Sequence, residues 1–104
     1  MGTDLYKQSL IIHFDYPHEN LDALFDLQMQ LDKEIKEKAL GIFDGNEIGI
    51  DTTDARFYIY SSDVCKLLVE IKPRLHKTPF MKGAIATLRL GPLCEPAKLI
   101  ETEV

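Results

Sequence analysis

A chain of 104 residues has room for one domain around one core. Its composition, 45% hydrophobic and 28% charged, gives no case for disorder, and no apolar run approaches the ~18 residues that a membrane span needs. With 17 acidic residues against 12 basic ones, a net charge of −5 and no Lys/Arg cluster longer than two, direct binding to a phosphate backbone is disfavoured, and a protein with a basic surface is the better electrostatic match.

Residues 1–7 lack the basic-then-apolar order of a secretory signal, so a cytoplasmic location is expected. Cys65 and Cys94 have neither metal-knuckle nor redox-motif spacing and read as reduced structural thiols.

Residues 9–14 alternate Leu10, Ile12 and Phe14 with Ile11 and His13, the pattern of a strand with one strongly apolar face and one mixed face. The run from Tyr16 to Asn20 breaks it, with Asn20 as a helix cap. Leu24, Leu27, Leu31 and Ile35 then recur at helical spacing within residues 21–40, and Gly41 is expected to stop that helix.

Residues 42–50 and 55–60 read as the two arms of a hairpin. They are joined through Asp51-Thr52-Thr53-Asp54, and the first arm is bulged at Gly45. Ser61-Ser62-Asp63 opens a second helix carrying Val64, Leu67, Leu68, Ile71 and Leu75, and Pro73 is expected to kink it or to end it just before. A loop over residues 77–80 leads to a last strand over 83–90. The tail offers a further edge strand at 98–101, close behind Pro96.

The order strand, helix, strand, strand, helix, strand predicts an α+β domain over residues 1–104. It is a ferredoxin-like βαββαβ sandwich, with two helices on one face of a four-stranded antiparallel sheet and an optional fifth edge strand from the C-terminal tail.

Several strings add to this reading. Residues 43–49 (Phe-Asp-Gly-Asn-Glu-Ile-Gly), Tyr58-x-Tyr60-x-x-Asp63, Pro73, Lys82-Gly83-Ala84 and Leu88-Arg89-Leu90-Gly91-Pro92 together resemble a family of short, functionally unassigned bacterial proteins. The likeness covers about residues 40–92 and implies a fold, with no catalytic residue to carry over. The Asp44-Gly45 arm has a fainter similarity to small ferredoxin-like bacterial regulators of ribonuclease E, although Asn46 stands where those proteins tend to have an aromatic residue.

With both helices on one face, the other face should carry Ile11, His13, Arg56, Tyr58, Tyr60, Ile85, Thr87 and Arg89. That set is too apolar and aromatic for a merely solvated face, and Tyr and Arg are the residue types that anchor protein interfaces. A homodimer stacking two such faces, or the tail folding back over the face, would account for the same pattern.

Asp44, Glu47, Asp51 and Asp54 line the hairpin, either as a solvated edge that resists aggregation or as an acidic dock for a basic partner. His13 beside Asp15 or Tyr58 would suit a general base, and more commonly such a histidine is a cross-strand packing partner. No metal-ligand spacing, phosphate loop or dinucleotide fingerprint is present, so neither metal nor cofactor is expected.

The resulting expectation is a non-catalytic protein-binding module. It would inhibit or regulate another bacterial protein in the manner of an immunity protein, binding a basic partner such as a nuclease toxin, as a monomer or as a homodimer through the open sheet face. The alternative is a small homodimeric enzyme or ligand-binding protein with a site between stacked sheets, built around His13, Tyr58 and Arg89.

Overall fold

The computed structural model describes residues 8–17, 20–49, 53–90 and 99–104. Five strands and two helices follow one another as β1 (Gln8–Asp15), α1 (Asp22–Glu37), β2 (Ile42–Ile48), β3 (Asp54–Ser61), α2 (Val64–His76), a 3-10 turn (Pro79–Met81), β4 (Ile85–Arg89) and β5 (Leu99–Glu103). The fold is α+β, with one antiparallel sheet in the order β2-β3-β1-β4-β5. Among the described residues the sheet therefore has five strands, the four expected and the optional edge strand from the tail. The fifth pairs with β4 over Leu99–Glu103, slightly beyond the 98–101 segment read from the tail.

Strand pleating divides the sheet residues by parity. Leu10, Ile12 and Phe14 of β1, Ala55, Phe57 and Ile59 of β3, and Ala86 and Leu88 of β4 are buried, and the stripes of both helices enter the same cluster. α1 rests against β2, while α2 rests against β1, β3 and β4. Phe57 lies at the centre, its ring 4.9 Å from that of Phe14 and 5.3 Å from that of Phe43. Burying a side chain of this size stabilises the fold by roughly 1.5–3 kcal/mol.

The helix ends differ from expectation in instructive ways. α1 starts at Asp22 with Leu21, not Asn20, at the cap position and no side-chain cap bond there; Asn20 precedes it and accepts from the Asp22 N–H through Oδ1 at 2.7 Å, an Asx turn leading into the helix. At the other end the N–H of Leu40 donates to the carbonyl of Ile35 at 2.9 Å and that of Ala39 to the carbonyl of Lys36 at 3.2 Å, a Schellman closure. The left-handed position in this closure is Ala39, with φ 52°, so the helix stops before Gly41. Gly41 is required for another reason: a Cβ there would stand 2.0 Å from the carbonyl oxygen of Tyr60.

α2 is capped by Asp63, whose Oδ1 accepts from the N–H of Lys66 at 3.1 Å. It neither ends before Pro73 nor stops at it, but continues to His76, where Lys77 N–H donates to the carbonyls of Pro73 and Arg74. Proline removes one donor near the helix end, and the terminal turn supplies bonds beyond it. The bulge expected in β2 is present, between Phe43 and Gly45.

Candidate functional site

The register fixes what the other face of the sheet presents, because residues directly opposite one another point the same way. One row runs Ile42, Tyr60, Ser9, Arg89, Leu99. The next runs Gly45, Tyr58, Ile11, Thr87, Glu101, and the third Glu47, Arg56, His13, Ile85, Glu103. Asp54 and Asp15, paired with each other, close the end beyond the third row. No helix lies over these rows among the described residues, so the face expected to be open carries the residues expected to line it.

Carboxylates occupy three sides of this surface: Glu47 on β2, Glu101 and Glu103 on β5, and Asp15 with Asp54 at one end. The interior is aromatic and aliphatic, with Tyr58, Tyr60, Ile11, Ile85 and Thr87 half-buried against one another. Arg56 and Arg89 are the cations set into it, with the His13 imidazole beside them.

Side-chain bonds hold the polar groups in place. Glu47 Oε1 accepts from Arg56 Nη1 at 3.0 Å and from the Tyr58 hydroxyl at 3.1 Å. The Arg56 guanidinium is held above its ordinary range by its contact with Tyr58 and then by that with Glu47, so it stays charged. His13 Nε2 lies 3.2 Å from Asp54 Oδ1. Asp15, the neighbour suggested by strand parity, instead accepts from the Thr53 hydroxyl.

Of the four hairpin acids, Glu47 and Asp54 thus belong to the open face, Glu47 against Arg56 and Asp54 against the His13 ring. Asp44 is exposed on β2, and Asp51 lies outside the described residues. Sequence reasoning separated the hairpin acids from the face residues; the register joins two of them to it. It also missed Glu101 and Glu103, which become rim residues only once β5 is paired in its observed register.

A second concave feature lies between the helices. It is a groove of about 870 Å³ bordered by Gln30, Glu34, Lys38, Val69, Arg74 and Phe80, among others. Glu34, Lys38 and Arg74 pair with one another in it: Glu34 accepts from Arg74 Nε at 2.8 Å and from Lys38 Nζ at 2.9 Å, and Gln30 accepts from Arg74 Nη1 at 2.8 Å. Burial pushes the Glu34 carboxyl up, but the two cationic donors outweigh that and hold it below its ordinary value.

Among the described residues no group of three His, Cys, Asp or Glu side chains could hold a metal ion, and no helix is long and apolar enough to cross a membrane. Cys65 is a free thiol exposed on α2, and Cys94 lies outside the described residues.

No family model and no curated protein matches this chain. Among solved structures, the chain is similar to a crystal structure of TiaS in complex with an isoleucine tRNA, AMPCPP and agmatine, with a TM-score of 0.51 and 13% sequence identity over 80% of this chain and 23% of that one. The chain thus corresponds to under a quarter of that protein's length, and at this identity the likeness concerns the fold alone.

Proposed function

We propose that this chain is a non-catalytic protein-binding module of immunity-protein type, an inhibitor or regulator of another bacterial protein, acting in the cytoplasm through the open face of its sheet. The observation that carries the reading is a sheet face over which no helix lies among the described residues, an aromatic and aliphatic interior bordered on three sides by carboxylates. Interfaces have this anatomy, with anchoring Tyr and Arg at the centre and a charged rim, and the sign of the rim selects a basic partner such as a nuclease toxin. In the same proposal the order β2-β3-β1-β4 is a ferredoxin-like arrangement extended by β5.

One observation weighs against chemistry on this face, and another against nucleic acid. The His13 and Asp54 side chains are 42% and 63% exposed, so water reaches the pair. The tRNA of the structural neighbour's complex is not carried over, since a face rimmed by carboxylates repels phosphate. A homodimer with a site between stacked sheets remains the second reading, favoured by His13 and Asp54 meeting on the face that such stacking would enclose.

A photoreactive amino acid placed at Tyr60 on the open face, or at Met29 on the exposed flank of α1, tests the reading in cells. A discrete cross-linked species containing a basic protein is expected from Tyr60 and not from Met29. Cross-links only to a second copy of the chain, or an equal yield from both positions, would overturn it.

A further inference from the structure

The two edges of the sheet are built differently. β2 is bulged between Phe43 and Gly45, carries Asp44, and is tied to α1 through a hydrogen bond from Asn46 to Gln28. Such features keep an edge from pairing with a foreign strand. β5 has neither the bulge nor the tie to a helix: it contains no proline or lysine, its charges are Glu101 and Glu103, all its residues are exposed, and among the described residues it contacts β4 with nothing paired to its outer side.

The phase of the ladder shows which backbone groups that outer side presents. The N–H of Val104 donates to the carbonyl of Ala84 at 3.0 Å. Antiparallel ladders alternate bonded and non-bonded pairs, so bonding continues at Ala86 with Thr102 and at Leu88 with Ile100. Leu99, Glu101 and Glu103 fall in the non-bonded pairs, and their N–H and C=O groups therefore point away from β4. Their side chains lie on the open face and add two carboxylates, with no Lys or Arg on the strand to offset them.

We propose that β5 is the docking edge for an extended basic segment of the partner, which adds to the sheet as a further strand. The inference rests on the reading of the open face as the interface to a basic protein, and states how part of that partner engages. Lys or Arg at alternate positions of the added strand would face Glu101 and Glu103, while the residues between them would lie beside Ile100 and Thr102. A second copy fits less well, because antiparallel pairing along the whole of β5 would set Glu101 against Glu101 of that copy.

The test uses the full chain, labelled for amide NMR, and a short capped peptide alternating valine and lysine, with its valine–glutamate counterpart as the control. The Val–Lys peptide should shift the amides of Leu99–Glu103, and the control should not. Glu101→Pro removes an outward N–H while sparing the bonds to β4, and should weaken binding about tenfold. Because proline can also disturb the strand, the double reversal Glu101→Lys with Glu103→Lys serves as a second variant; it should exchange the preference from the lysine peptide to the glutamate peptide.

No binding of the lysine peptide, or binding that both variants leave unchanged, overturns the docking edge. Shifts centred on Ile11, Arg56 and Tyr58 and absent from β5 would also overturn it, while leaving the open-face reading intact. The cross-linking from Tyr60 decides that reading separately.

Discussion

Phe57 and Tyr58 are neighbours in the chain and occupy opposite sides of one sheet. Phe57 is fully buried between Phe14 and Phe43 beneath the helices, whereas Tyr58 is half-buried on the open side with its hydroxyl bonded to Glu47. The covered side is apolar because two helices close it, and its residues answer to packing density. The open side has the aromatic content of a core with the charge pairing of a surface, a combination that folding alone does not demand. The contrast separates residues that hold the domain together from residues free to serve recognition.

The largest break in that contrast should come from Phe57→Ala, which empties the centre of the core and should cost about 3–5 kcal/mol by chemical denaturation. Gly41→Ala should follow, at roughly 2–3 kcal/mol, because its methyl group would collide with the Tyr60 carbonyl where the chain enters β2.

Glu34→Gln tests the outer side of the helix layer. It should cost about 1 kcal/mol at neutral pH, a magnitude kept small by solvent around Arg74 and Lys38. Because the folded carboxyl is held below its ordinary value of 4.5, its contribution is present above that pH and fades as pH falls below it. The difference between wild type and variant should therefore narrow in acid, and a difference that grew there would reverse the sign of the argument. The effect of Tyr58→Ala should be similarly small, about 1 kcal/mol in stability, the worth of a half-buried cross-strand neighbour and one exposed hydrogen bond. A cost near that of Phe57→Ala would erase the distinction between the two faces.

The covered side was legible in the sequence because its signals are local and periodic. The stripes Leu24, Leu27, Leu31, Ile35 and Val64, Leu67, Leu68, Ile71, Leu75 were readable from spacing, as were the strand alternations and the bulge at Gly45. The composition of the open face followed from the same alternation. Its wiring did not: His13 meets Asp54 across a separation of 41 residues, and parity along β1 pointed to Asp15.

Glu47 likewise joins Arg56 and Tyr58 only because β2 and β3 pair in one register, and no short window of sequence contains that register. Local end effects were also misread. Ala39 takes the left-handed position expected of glycine, because the Schellman bonds at Leu40 and Ala39 close α1 regardless of the Cβ, and of the two outcomes open at Pro73 the helix takes continuation, near its end, where one lost donor is tolerated.

The central claim is that the open face awaits a different protein. Light scattering of the purified chain across a tenfold concentration range tests it most directly. The account predicts the mass of one chain, 11.9 kDa, throughout. A stable mass of twice that, reduced to one chain by Tyr58→Lys, would mean that a second copy already occupies the face and would contradict it.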